Sequence, residues 1–168
     1  MRIRPRLRRG LLAVHLTVSV GWIGALAAYL AFDVAVATGA DAETLRTGYL
    51  AMDRIVRFTV VPFAVASFVT GVLVSVWSRW GLFRHYWVVI SLVLTSFALV
   101  VLLREVGVVA SLARTAAASD SAEHLRALGS TLPHSVGGTL LLLIVLVLNM
   151  YKPRGLTRYG RRRTTRGR

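Results

Sequence analysis

The chain of 168 residues contains no cysteine, so disulfide bonds, thiolate metal sites, covalently attached c-type haem and a cysteine nucleophile are excluded. Acidic residues are few: 7 Asp and Glu stand against 21 Lys and Arg, which gives a formal net charge of +14. Even so, 55% of the residues are hydrophobic. A soluble domain is about 45–50% apolar. This combination indicates a small membrane protein of one domain with basic ends.

Four segments contain no Asp, Glu, Lys or Arg and are apolar over a length suited to a membrane span. They cover residues 11–32, 58–77, 86–103 and 134–151. A helix rises about 1.5 Å per residue, so about 20 residues cross the hydrocarbon core. The segments lack the two-residue alternation of barrel strands. The sequence therefore predicts an all-α fold, an integral membrane four-helix bundle with antiparallel helices.

The charges between the spans predict the orientation of the chain. The segments before the first span, between the second and third, and after the fourth carry basic residues and no acid, and all 7 acidic residues lie in the other two connections. The positive-inside rule therefore places both termini in the cytoplasm. Lys152 is the only lysine among the 21 cationic residues, a bias typical of bacterial genomes rich in G and C. We expect the bacterial cytoplasmic membrane as the location.

The sequence also makes predictions for two segments outside the spans. Residues 152–168 form an Arg-rich tail that we expect to be disordered and cytoplasmic. Together with the basic N-terminus, this tail would attract anionic lipid headgroups. This role accounts for the basic residues, and we expect no nucleic-acid partner. Residues 44–57 carry apolar side chains at helical spacing and predict an amphipathic helix on the outer surface. The first span is longer than the core of a usual cleavable signal peptide, so we expect it to be retained.

Polar and small side chains predict which faces of the spans meet. One stripe of the first span recurs every three or four residues and consists of His15, Ser19, Trp22, Leu26, Tyr29 and Asp33. It should face the bundle interior, because polar groups are costly against lipid. Small residues allow close helix approach. The candidates are Gly24 in the first span, Ser67, Gly71 and Ser75 in the second, and Ser91 in the third.

His15 is the strongest candidate for a functional residue, because an ionisable group inside a span is a functional candidate by default. It could be a haem or metal ligand, a proton-transfer group, or a neutral ring bonded to a backbone carbonyl. His85 and Met150 lie near the same end, and haem iron accepts a second His or a Met beside the first. Asp33 lies at the outer edge of its span, so the sequence predicts no carboxylate deep in the membrane and does not favour a proton-coupled carrier. A copper site is not expected, since the three methionines are scattered, and we assign no metal-binding residues.

The first span, VHLTVSVGWIGALAAYLAFDV, has His15, Trp22 and Gly24 in the pattern H-x6-W-x-G. This pattern resembles the first helix of a broad group of small bacterial membrane proteins. The group includes HemJ-type protoporphyrinogen oxidases, the membrane domain of CopD-type copper-resistance proteins, and predicted integral membrane proteins of unknown function. The segments GLFRHYWVVISLVLT (Gly81–Thr95) and YKPRGLTRYG (Tyr151–Gly160) resemble the last of these most.

The resemblance to HemJ-type proteins implies a role for His15, because their first-helix histidine is associated with haem and activity. Those proteins also carry a lysine in the third helix shortly after a tryptophan. Here the tryptophan is Trp87 and the lysine position is Ser91. The missing cation could have paired with a porphyrin propionate, so its absence counts against the oxidase activity.

Three functions remain open on the sequence. The favoured one is a non-catalytic accessory or interaction protein with a membrane protein partner or a second copy of itself. The second is a haem-b-binding protein with His15 as one axial ligand and His85 or Met150 as the other. The third is a HemJ-like porphyrinogen oxidoreductase. The sequence thus leans away from an enzyme.

Overall fold

A computed structural model of the protein describes residues 4–39, 41–78 and 80–165. Outside these ranges lie Arg2, Arg79, Arg166 and Arg168, four of the basic residues that predict the orientation of the chain. Helices with short connections make up the described residues, and no β-strand occurs among them. Four helices are long and apolar enough to cross a membrane. The all-α prediction and the four helices of spanning length are thereby confirmed.

The helices extend beyond the apolar segments. Their bounds are α1 Pro5–Thr38, α2 Ala42–Ile55, α3 Val61–Trp77, α4 Tyr86–Ala117, α5 Ala122–Ala127, α6 Leu132–Tyr151 and α7 Arg158–Thr165. At 34 and 32 residues, α1 and α4 are about 50 Å long, whereas a bilayer core is about 30 Å thick. Both helices are therefore longer than one crossing of such a core requires.

A π-helical segment, Val56–Val60, joins α2 to α3, so that Ala42–Trp77 is one continuous helix. The N–H of Val61 donates to the carbonyl of Val56, five residues earlier. The next residue, Pro62, has no N–H, and its ring crowds the carbonyl four residues before it. Widening the helix by one residue just ahead of a proline relieves that crowding.

The most deeply buried core lies at the end of the molecule that holds the acidic residues, which we call the acidic end. There α2 packs between α1, α4 and α5. The buried side chains of this core include Val36, Leu45, Tyr49, Met52, Val109, Ala116 and Leu125. The apolar face of α2 is thus covered by other helices. We predicted an amphipathic helix on the outer surface here; α4 and α5 extend far enough to enclose its apolar face, and its position relative to a membrane stays a prediction.

At the opposite end, which we call the basic end, the chain after α6 folds back on the connection between α3 and α4. Lys152 ends α6 in a left-handed conformation with φ of 44°. Leu156 then forms an isolated bridge with His85, and the N–H of Thr157 donates to the carbonyl of Arg84 at 3.0 Å. We expected a disordered tail, whereas its described part is helical over Arg158–Thr165. Backbone hydrogen bonds to the facing connection order the chain ahead of this helix.

Candidate functional site

Asp33, near the end of α1, is a fully buried carboxylate with 0% exposure. It accepts hydrogen bonds from the Thr131 N–H at 3.1 Å, the Thr131 hydroxyl at 2.8 Å and the Ser135 hydroxyl at 2.7 Å. Since the Thr131 hydroxyl has one hydrogen and gives it to Asp33, it accepts from the Tyr29 hydroxyl at 2.7 Å. We call these four residues the Asp33 network. It joins the end of α1 to the start of α6.

The start of α6 is well suited to receive this carboxylate. Thr131 is the N-cap residue of α6, and the first N–H groups of a helix have no partner within the helix. The helix dipole also places partial positive charge there. Because a buried charge must be hydrogen-bonded to be tolerated, the N-terminus of α6 supplies what Asp33 requires. Asp33 lies one residue beyond the apolar segment 11–32, on the stripe that we expected to face the bundle interior, and it is buried there.

A cavity of about 400 Å³ lies beside the Asp33 network, between α1, the π segment, α4 and α6. Most of its wall is apolar and includes Trp22, Leu26, Phe97, Leu102, Leu141 and Leu142. Its polar side chains are Tyr29, Glu105, Thr131, His134 and Ser135. Pockets that bind small molecules are about 300–1,000 Å³, mostly apolar, with a few placed polar groups. The cavity has both properties.

Glu105 of α4 and His134 of α6 form a pair at the polar end of the cavity. The His134 Nε2 atom lies 3.5 Å from a carboxylate oxygen of Glu105. The Glu105 side chain is 20% exposed and that of His134 is 54% exposed, so the pair stands where the cavity opens. The described residues that line the cavity include no Lys or Arg.

His15 lies in a different place, against α3 near the basic end. Its Nδ1 atom is 3.0 Å from the Thr70 hydroxyl oxygen, and that hydroxyl donates to the Ala66 carbonyl at 2.6 Å. Thr70 must therefore accept from His15, so Nδ1 carries the ring hydrogen and Nε2 keeps a lone pair. A Cβ atom on Gly71 would lie 3.0 Å from the ring, so glycine permits this close packing.

His85 and Met150, the two candidates for a second iron ligand, have other surroundings. The His85 Nδ1 atom lies 2.7 Å from the Trp80 carbonyl oxygen, and the two rings meet edge to face. Met150 is 70% exposed. Within the described ranges, no recorded hydrogen bond or ring contact joins either residue to His15. No group of three or more His, Asp or Glu placed to hold a metal ion occurs there. The ligand set stays a prediction.

The small residues expected at helix contacts differ in their surroundings. Ser19 and Ser67 share a hydrogen bond of 2.7 Å between α1 and α3, and Ser91 accepts from the Asn149 amide at 3.1 Å. Ser75 bonds the carbonyl one turn earlier in its own helix. Gly24, however, is exposed, and a Cβ there would meet nothing within 4 Å. The close helix approach expected at Gly24 is absent, because this side of α1 faces away from its neighbours.

A comparison of the chain with protein-family models, curated proteins and solved structures found no match in any of the three. The protein is therefore classed by its own structure, as an all-helical chain with four helices able to span a membrane. The spacing of Tyr29 and Asp33 had predicted one stripe facing the interior. Glu105 and Ser135 were not predicted, and their only signal in the sequence is a polar residue next to an apolar segment.

Proposed function

We propose that the chain is a multi-pass protein of the bacterial cytoplasmic membrane with antiparallel spans and both termini in the cytoplasm. The gathering of all 7 acidic residues outside the basic connections supports this orientation. The contacts between α1 and α3 support the antiparallel arrangement. His15 bonds Thr70, and the later residue Ser19 bonds the earlier residue Ser67. The acidic end, with its packed core of α2, α4 and α5, then lies on the outer side of the membrane.

Within this membrane protein, the role is that of a non-catalytic accessory or interaction subunit. The observation that carries this proposal is that polar side chains of the apolar helices bond one another across helix contacts. Ser19 bonds Ser67, Asn149 bonds Ser91, and Ser135 bonds Asp33. Such bonds act as interhelical contacts in membranes. The polar groups therefore hold the helices of the chain together. The helical layer at the acidic end offers a surface to a membrane protein partner or a second copy.

The orientation is tested with reporter domains fused after Leu45, Leu82 and Asp120 in the full chain. The fusions after Leu45 and Asp120 should report the outer side, and the fusion after Leu82 the cytoplasm. A cytoplasmic signal after Leu45 would contradict the proposed orientation.

The accessory role is tested by purifying the tagged full chain in mild detergent from native membranes, with and without prior cross-linking. We expect one membrane protein at a fixed ratio to the chain, or a defined oligomer of the chain. A monodisperse monomer under both conditions would contradict an interaction subunit.

A second candidate function is haem b binding at His15, in line with the resemblance to HemJ-type and CopD-type proteins. The hydrogen bond from Nδ1 to Thr70 favours it, because a bonded Nδ1–H fixes an imidazole ring whose Nε2 can ligate a metal. His85 or Met150 would supply the second ligand. Bound haem b would give the protein reversible one-electron chemistry.

The haem proposal is tested by the visible absorbance spectrum of the protein purified from haem-replete cells. A Soret band that shifts on dithionite reduction is expected, with loss of the band in His15→Ala and its retention in His124→Ala, a change at an exposed histidine of α5. A flat spectrum from folded protein would contradict haem binding. The oxidoreductase alternative requires the gene to restore porphyrinogen oxidation in a strain lacking that step, and failure despite verified expression would contradict it.

A further inference from the structure

The cavity beside the Asp33 network has one polar end and a long apolar wall. Tyr29 and Trp22 both line it from α1 and lie seven residues apart, which corresponds to about 10 Å along a helix. Glu105 and His134 stand at the polar end, and Leu141 lines the apolar part. A molecule with a polar head and a hydrocarbon chain matches this division better than a compact polar solute does.

The charges at the polar end select the kind of head. The Glu105 carboxylate lines the cavity, and the buried carboxylate of Asp33 lies directly behind Thr131 and Ser135. His134 is the one ionisable base among the described lining residues, and it is half exposed. An anionic head would therefore be repelled, whereas a cationic head gains Coulomb attraction that low-dielectric surroundings strengthen.

We propose that this cavity binds an amphipathic ammonium compound, with its head paired to Glu105 and its alkyl chain between α1, α4 and α6. An ammonium group donates charge-assisted hydrogen bonds to a carboxylate. The apolar wall removes the chain from water or from disordered lipid.

The surroundings of the cavity give such a molecule a way in from the bilayer. Gly137 and Gly138 of α6 line the cavity without side chains, and a Cβ on Gly137 would meet nothing within 4 Å. On α4, Phe97 lines the cavity and is 60% exposed. The opening between α4 and α6 therefore faces the side of the helix assembly. Val56 and Val60 of the π segment form part of the wall, and π segments often occur at functional sites.

The test uses the full chain in phosphatidylglycerol nanodiscs and an octylammonium probe with a bromine at the chain terminus. Bromine quenches indole fluorescence on contact, and Trp22 is the tryptophan among the described lining residues. We expect saturable quenching in the unmodified protein and its loss in Trp22→Phe. Absence of a saturable component in the unmodified protein, or a saturable component that persists in Trp22→Phe, would overturn the proposal.

Charge selectivity is tested with Glu105→Gln, which keeps the shape of the side chain. Affinity for the ammonium probe should fall at least about tenfold, in line with the loss of a hydrogen bond to a charged group. Glu123→Gln, at an exposed position of α5, should leave affinity unchanged. The bromo-octanol analogue should bind the unmodified protein and Glu105→Gln equally. Equal ammonium affinity in both proteins would overturn the assignment of Glu105.

Occupancy of the cavity is tested with Gly137→Leu, which adds an apolar side chain into open space on its wall. It should abolish the saturable quenching of Trp22. Gly24→Leu adds the same atoms to an exposed position of α1 outside the cavity and should leave quenching intact. Both changes favour the helix, because glycine is a poor helix former, so both variants should fold. Undiminished quenching in Gly137→Leu would overturn binding in this cavity.

The ammonium group can come from a phosphatidylethanolamine headgroup or from a free long-chain amine. The same titration in nanodiscs containing phosphatidylethanolamine separates the two sources. Weaker apparent affinity for the probe would assign the site to the lipid, because the lipid then competes. Unchanged affinity would assign it to a free amphipathic amine.

Discussion

Replacing Asp33 by alanine tests whether the Asp33 network holds α1 and α6 together. The carboxylate accepts three hydrogen bonds, two from Thr131 and one from Ser135, and it is fully buried. Alanine leaves the donors of both residues without the carboxylate that accepts from them. The hydrogen-bonded contact between the end of α1 and the start of α6 is lost as well.

The expected cost follows from the number and type of these bonds. A hydrogen bond to a charged group contributes about 1.5–3 kcal/mol, but three bonds to one carboxylate do not add fully, and removing the charge recovers part of its desolvation cost. Three such bonds at less than full additivity, offset by the recovered desolvation cost, leave a net cost of about 3–5 kcal/mol. We expect the free energy of unfolding to fall by about that amount in Asp33→Ala. Asp33→Asn keeps one acceptor oxygen for the Thr131 N–H and should cost about 1–3 kcal/mol.

The assay is unfolding in mild detergent followed by circular dichroism. For a domain of this size, 1 kcal/mol shifts Tm by about 2–4 °C, so Asp33→Ala should lower Tm by about 6–20 °C. Glu43→Gln, at an exposed position in the first turn of α2, is the matched control and should move Tm little.

A double-mutant cycle with Ser135→Ala then isolates the network. Residues that share a hydrogen-bond network show coupling energies of about 0.5–3 kcal/mol, so the two costs should not add. A Tm for Asp33→Ala no lower than that of Glu43→Gln, or strict additivity with Ser135→Ala, would refute the reasoning.

Two further predictions concern the acidic end. Gly48→Ala should lower Tm, because the new Cβ would overlap Val36. Gly107→Ala should raise Tm, since nothing lies within 4 Å of the new Cβ and alanine favours the helix by about 1 kcal/mol. The reverse order of the two melting temperatures would contradict this prediction. The hydrogen bond from the Thr44 N–H lowers the pKa of Asp41 below 3.8. This stabilisation should be complete at neutral pH and lost as the pH falls through the lowered pKa. The Tm difference between the unmodified protein and Asp41→Ala should therefore shrink in acid, and a constant difference would contradict it.

Much of the fold could be predicted because a helix of spanning length can be recognised from its local sequence. An apolar segment without charge favours the bilayer residue by residue, whatever its neighbours, so the four helices of spanning length were found from composition alone. The prediction for residues 44–57 was correct in its helical period but not in what covers the apolar face. Periodicity shows that a face is apolar and does not distinguish a membrane surface from a protein surface.

The candidate site was predicted only in part, for a different reason. The spacing of Tyr29 and Asp33 put both on the stripe that faces other helices, but it did not indicate which residues they meet. Glu105 follows a long apolar segment and looked like an ordinary residue of a charged connection. It lines a cavity because α4 continues as a helix beyond that segment. No local pattern records how far a helix continues past its apolar part.

The sequence by itself determined the helical class, the four apolar helices of spanning length and the separation of acidic from basic connections, because each of these follows from short-range transfer free energies and charge order. Only the tertiary structure decided that Asp33 meets Thr131 and Ser135 and that a cavity opens beside them. Those partners lie 98 and 102 residues from Asp33 along the chain. Their contact depends on how each helix is rotated and where its end stops against its neighbours, which are properties of packing.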